Sequence, residues 1–274
     1  MTDDENRNIK VFISVSVMGN FKEVLVGFFK DLQSSGLFSV CTEINLCILG
    51  DPDKFRLEDF GNPSLLSQKV RLVYTDADLN KCEFPALWYV WSQAQTENFY
   101  CLYVHTKGVS RTQERWLKNW LGYLQYLNIW QWRLMVPELE SADGVGVNLM
   151  GKHENIDLDY DSWSEKGAPL HFSGNFWWST SEYVRLLPNP YDLAKDSDFL
   201  KWRHACEMWL SFGRGKLKSI DQSGVRHYAH EPYPAFMYRK DLIHLLLRCV
   251  LRFPFRIYIR IFRLRKRLFS ELFK

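Results

Sequence analysis

Short β-branched runs alternate along the chain with stretches whose apolar residues recur at helical spacing. Lys10–Val17 (KVFISVSV) predicts a first strand, broken at Gly19 and Asn20. Phe21–Gln33 then places Val24, Leu25, Phe28, Phe29 and Leu32 on one helical face, and Ser34-Ser35-Gly36 closes that helix. Val40–Leu49 and Lys69–Tyr74 predict the second and third strands. Phe84–Ala94 reads as a helix opened by Pro85, and Phe99–Val104 as a fourth strand that runs into His105.

This alternation predicts a doubly wound α/β domain, Rossmann-like, with a mainly parallel sheet flanked by helices. Ligands of such sheets bind beyond the carboxyl ends of the strands. Val17–Asn20, Tyr74–Asp78 and His105–Gly108 are therefore expected to share one surface. Downstream, Arg115–Leu139 predicts a Trp-rich helix and Gly144–Leu149 (GVGVNL) a further strand. Glu154–Lys166 predicts a polar loop, Ser181–Leu187 a helix ended by Pro188, and Phe199–Leu210 a helix that carries Glu207.

The last segment follows a different pattern. Arg248, Arg252, Arg256 and Arg260 recur every four residues, followed by Arg263 and Arg267, with Leu, Ile and Phe between them. Residues 241–274 hold nine Lys/Arg against two acidic residues, a balance of +7, whereas the whole chain carries +3 and residues 1–240 therefore −4. We expect a catalytic domain at 1–240 and a basic amphipathic helical tail at 241–274, split by Pro254 into two helical pieces. A basic face beside an apolar face predicts attachment to an anionic membrane surface, at its cytoplasmic face. Nucleic acid and a partner-protein groove are the rivals for such a tail, and its large apolar side chains favour the membrane.

Composition narrows the class. Apolar residues make up 46% of the 274 residues and charged residues 24%, which excludes an intrinsically disordered chain. Aromatics reach 16%, with 11 Trp, and such rings suit both sugar faces and protein interfaces. The six cysteines form no CxxC pair and several sit in apolar runs, which argues against a zinc site or disulfide scaffold and for a reducing compartment. The N-terminus lacks an apolar signal core, and no stretch reaches the ~20 apolar residues of a spanning helix. The expectation is a cytoplasmic protein, peripherally attached to membrane.

Two segments carry candidate chemistry. In Tyr103–Gly108 (YVHTKG), His105 and Lys107 end an apolar run where they can hold anionic oxygens, and Gly108 permits a tight turn. In His171–Trp178 (HFSGNFWW), Ser173 and Asn175 offer polar groups, Gly174 permits close approach, and the rings can stack on a sugar or fill the core. Asp76-Ala77-Asp78 follows a predicted strand and is the candidate pair for Mg²⁺ or Mn²⁺, if a divalent metal is used.

The ordered motifs KVFISVSVMGN, SSGLF, EFPALWYV, YVHTKGVS, GVNL, HFSGNFWWSTSEYVRLLP and HACEMWL resemble bacterial and viral glycosyltransferase-like proteins of glycosyltransferase-A type fold. The resemblance covers about residues 9–232, with HTKG and SGNFWW as its distinctive part. It implies transfer of a sugar from a nucleotide-sugar donor to a cell-surface or lipid-linked glycan acceptor. Where most such folds place a metal-binding Asp-x-Asp, this chain has His105-Thr106-Lys107, so Lys107, with His105, is expected to replace the metal. No cofactor is favoured.

Glu207 is the candidate base of an inverting transfer; pairing with Arg203 at i−4 is the alternative reading. Ser16, Asn20 and Glu83 are candidate nucleoside contacts, and Asp76, Asp78, His105, Lys107 and Gly108 complete the expected donor site. His171, Ser173, Gly174, Asn175, Trp177 and Trp178 are expected to wall a donor–acceptor cleft, and His227 and His230 to touch the departing diphosphate. A non-catalytic glycan- or nucleotide-binding protein of the same fold is the alternative class.

Overall fold

A computed structural model of the chain describes residues 8–111, 114–151, 170–193, 204–227 and 230–272. The strands are β1 (Ile9–Val17), β2 (Glu43–Gly50), β3 (Val70–Asp76), β4 (Tyr100–His105), β5 (Gly144–Gly146), β6 (Leu149–Met150), β7 (His171–Phe172), β8 (Trp177–Thr180) and β9 (Leu217–Ser219). Seven of them form one sheet in the order β3-β2-β1-β4-β8-β5-β9, and β6 pairs with β7 separately. β1 to β4 run parallel, β8 is antiparallel to both β4 and β5, and β9 is parallel to β5. The protein is thus α/β, with a mostly parallel sheet flanked by helices, compatible with a Rossmann-like fold.

Continuous apolar sequence explains the centre of the sheet. Every residue of β1 except Ser16 is buried, as a parallel strand covered on both faces requires. Val24, Leu25, Phe28, Phe29 and Leu32 form the buried stripe of the Phe21–Ser34 helix, as their spacing predicts. The Phe84–Ala94 helix has the predicted bounds and packs Leu87, Val90 and Ala94 into a core shared with Phe12, Cys101 and Tyr103.

Several predicted elements differ. Gly36 turns the chain in the left-handed region (φ 79°), and Leu37–Val40 then forms a helical turn, so β2 starts only at Glu43. The Trp-rich helix ends at Gln125, continues as a π-turn over Tyr126–Trp130, and resumes at Trp132–Met135. The Gly144–Leu149 run divides: β5 joins the main sheet and β6 the small one, with Asn148 at φ 50° between them. The predicted loop at Glu154–Lys166 lies outside the described residues, as does the first part of the predicted Phe199–Leu210 helix, of which His204–Met208 is helical.

Pro254 does not split the tail. Leu242–Leu272 is one helix with the proline inside it. The ring removes the hydrogen bond to the carbonyl of Val250, but Val250 is 72% exposed, so water can take the freed oxygen. By contacts the chain divides into two compact units, residues 1–112 with 127–222, and residues 113–126 with 223–274. The tail thus shares its unit with Gln113–Tyr126 and with 223–240. Among the described residues, no helix is long and apolar enough to cross a membrane.

Candidate functional site

The site grows from the carboxyl ends of the parallel strands. In β4, Tyr103 and His105 alternate with buried Leu102 and Val104 and so project to the same face of the sheet. That face also receives Glu83, the residue before the Phe84–Ala94 helix, whose carboxylate does not cap its own helix. Glu83 Oε2 instead accepts hydrogen bonds from the Tyr103 hydroxyl (2.8 Å) and the Asn175 amide (2.6 Å). Its Oε1 lies 3.5 Å from His105 Nδ1.

Asn175 closes this network from the other side. Gly174 (φ 104°) and Asn175 (φ 55°) both adopt left-handed backbone in the turn between β7 and β8. The Asn175 amide donates to Glu83 and to the Cys206 carbonyl (3.3 Å), and its oxygen accepts from the indole of Trp177 (2.9 Å). After glycine, a short polar side chain tolerates the left-handed conformation best, and here each of its polar atoms finds a partner. The His105 Nε2 donates to the Gly174 carbonyl at 2.9 Å, which places the ring proton on that nitrogen.

Burial lowers the His105 pKa from the ordinary value of 6.5; Glu83 and Glu207 oppose that fall and Lys107 adds to it. The ring is therefore neutral near pH 7, with its Nδ1 lone pair toward Glu83. Burial likewise pushes the Tyr103 hydroxyl well above its ordinary value, so it remains a donor to Glu83. Two carboxylates and a lysine thus act on one buried imidazole. Thr106 locks the adjoining strand end, accepting from the Ser16 amide at 2.8 Å and donating its own amide to Ser14 at 2.9 Å.

Expected site residues separate into groups. Glu83, His105, Gly174 and Asn175 come together, but as a network largely closed to solvent: the side chains of Glu83 and His105 are 16% and 13% exposed. Both ring nitrogens of His105 face protein atoms, so its expected role as an anion ligand is corrected to one of holding the turn. Phe176, Trp177 and Trp178 are buried too. Trp177 stacks on Tyr103 with centroids 4.9 Å apart, and the Trp178 indole donates to the Asn128 carbonyl. The rings expected to wall a sugar cleft fill the core instead, because β8 inserts between β4 and β5.

Ser16, Asn20, Lys107 and Glu207 are partly exposed in the same unit, with Lys107 and Glu207 close enough to shift His105. Gly108 turns at φ 78° directly after Lys107. The Asn20 amide donates to Glu23 at 3.1 Å. His171 is half-buried on β7, and the buried Ser173 donates its amide to the Asn148 carbonyl. The alternative partner of Glu207, Arg203, lies outside the described residues.

Asp76 and Asp78 are both engaged by groups of the protein itself. Asp76 is bound by the Lys81 ammonium, the Tyr74 hydroxyl and the Asp78 amide, and its carboxyl is held below the ordinary value by Lys81 first of all. Asp78 caps the following turn through the Asn80 amide. Among the described residues, no group of three or more His, Cys, Asp or Glu is placed to hold a metal ion. Two further Asp-x-Asp pairs of the sequence, Asp157 with Asp159 and Asp159 with Asp161, fall outside them.

His227 and His230 belong to the second unit, in an aromatic cluster. His227 is buried and stacks 5.3 Å from Trp120 and 5.5 Å from Tyr123, while exposed His230 stacks 4.2 Å from Trp116. Sequence reasoning passed over Tyr103 and Thr106. The signal for Tyr103 was present: two residues before His105 on a strand, it had to share that residue's face. The chain matches no protein-family model, and no curated protein sequence is significantly similar to it.

Proposed function

We propose that the protein is a glycosyltransferase of glycosyltransferase-A type, moving a sugar from a nucleotide-sugar donor to a cell-surface or lipid-linked glycan acceptor. The observation that supports this most is electrostatic: Lys107 and Glu207, both partly exposed, act on the same half-buried histidine at the carboxyl end of β4. A cation and a carboxylate are what a donor diphosphate and an acceptor hydroxyl require, and the carboxyl ends of the strands are where α/β proteins bind ligands.

In this reading the Lys107 ammonium offsets the diphosphate charge as a point cation. Glu207 takes the proton of the acceptor hydroxyl as its oxygen bonds to the anomeric carbon. The bond from that carbon to the diphosphate oxygen breaks, nucleoside diphosphate leaves, and the single displacement inverts the anomeric configuration. Glu83, Tyr103, His105 and Asn175 touch no substrate; they fix the strand end and the Gly174–Asn175 turn beneath it. A nucleotide-release screen over common nucleotide-sugars, with and without chelator, tests the proposal. Release that survives chelation supports Lys107 as the diphosphate cation; strong inhibition assigns that charge to a metal.

A further inference from the structure

Among the described residues, the C-terminal helix packs one face against the rest of its unit. His244, Arg248, Phe255, Ile259 and Phe262 recur at spacings of three, four and seven, and are the more buried positions of the helix. Arg248 donates to the carbonyls of Phe236 and Arg239, and the Phe255 ring meets Phe236 edge-on at 5.8 Å. Arg263 grips buried Glu231 with two hydrogen bonds, 2.8 Å and 2.7 Å, and a third goes to the Gly224 carbonyl. Burial would raise the Glu231 pKa, but the guanidinium overcomes this and holds the carboxyl below its ordinary value.

A second stripe faces away from that contact. Ile243, Leu246, Val250, Phe253, Ile257, Ile261 and Leu264 follow at steps of three and four, all exposed, with Phe253 at 75% and Val250 at 72%. At about 100° per residue they lie on one side of the helix, well away from the packed face. Exposed Arg256 and Arg260 flank one side of this stripe and Arg265 the other, while Arg252 lies nearer the packed face. Between Leu242 and Arg265 there is no Asp or Glu.

We propose that this stripe is a membrane-docking surface that lies flat in the headgroup region of an anionic bilayer. Charge complementarity selects this occupant. A nucleic acid would pair the arginines and leave seven large apolar side chains in water. A second copy of the helix would cover those side chains but press unpartnered arginine rows together. An anionic lipid surface takes both, with the apolar stripe among the acyl chains and the flanking guanidiniums reaching lipid phosphates. The orientation is thereby set: the row Leu246–Val250–Phe253–Ile257–Ile261–Leu264 points down into the lipid, while Arg248 and Arg263 stay committed to the protein. This surface is independent of the chemistry assigned to the first unit.

Flotation of the full chain with vesicles tests it, using phosphatidylcholine alone and phosphatidylcholine mixed with phosphatidylglycerol. The chain should float with the anionic vesicles only, and less as salt rises. Phe253→Glu with Ile257→Glu, and separately Arg256→Glu with Arg260→Glu, should each weaken flotation by about tenfold or more. All four sites are exposed, so melting temperatures should match the parent chain. Three results overturn the proposal: undiminished flotation by both variants; no flotation beside a nucleic-acid shift that depends on Arg256 and Arg260; and a dimer in sedimentation that Phe253→Glu with Ile257→Glu dissolves, without flotation.

Discussion

The side-chain amide of Asn175 donates to the Glu83 carboxylate at 2.6 Å, across 92 residues of sequence. The contact fastens the left-handed turn before β8 to the start of the Phe84–Ala94 helix, and with it the end of β4. Asn175→Ala should cost about 3 kcal/mol, since it strips a buried carboxylate of a donor and leaves a Cβ in left-handed backbone. Asn175→Gly removes the same bonds without that strain and should cost about 1 kcal/mol less. Denaturant unfolding of the pair measures the difference; equal losses would mean the turn is not strained.

Glu83→Gln separates charge from shape. With His105 neutral and protonated on Nε2, a glutamine amide can donate to the Nδ1 lone pair while its oxygen still accepts from Tyr103 and Asn175. Glu83→Gln should therefore unfold within about 1 kcal/mol of the parent chain, whereas Glu83→Ala, which orphans buried donors, should lose about 2–4 kcal/mol. A large loss in Glu83→Gln would indicate that His105 is an imidazolium paired with the carboxylate.

The depressed pKa of His105 sets a sign for stability against pH. The unfolded chain binds a proton near 6.5 that the folded chain refuses, so this residue's contribution is whole above that pH and lost as pH falls below it. His105→Gln should flatten the stability profile below pH 6.5 relative to the parent. Histidine NMR titration should also move down in Glu83→Gln and Glu207→Gln, which remove attracting charges, and up in Lys107→Met, which removes a repelling one. A shift of the opposite sign in Lys107→Met would dissociate Lys107 from this site.

Gly146 is needed for space rather than for a turn. A Cβ there would fall 2.7 Å from the ring of buried Phe172, beneath the β6–β7 pair. Gly146→Ala should destabilise by about 2 kcal/mol, read as a lowered melting temperature, and a neutral substitution would mean that the ring can move aside.

What could be read from the sequence, and what could not, follows from the range of the interactions. The first strand and the Phe84–Ala94 helix were legible because each buries residues at a single period, and local pattern records that burial. The shared placement of the strand ends was legible because the parallel alternation dictates where they emerge. The Glu83–Asn175 contact left no trace in spacing, being made by two polar residues on separate elements. Trp177 and Trp178 misled because a ring beside a glycine turn looks the same whether it meets sugar or core; the insertion of β8 between β4 and β5 decided it. Pro254 misled because a proline inside a long helix removes one hydrogen bond without having to end the helix.

The central claim is transfer with Glu207 as the proton acceptor. The most direct measurement is acceptor-dependent release of nucleoside diphosphate by the parent chain and by Glu207→Gln, with donor affinity determined for both. Release should fall by about 10²–10⁴ in Glu207→Gln while donor binding stays within about twofold, because a general base acts on the acceptor proton alone. A parent chain that binds nucleotide-sugars but releases nothing, or a Glu207→Gln chain as active as the parent, would contradict the account.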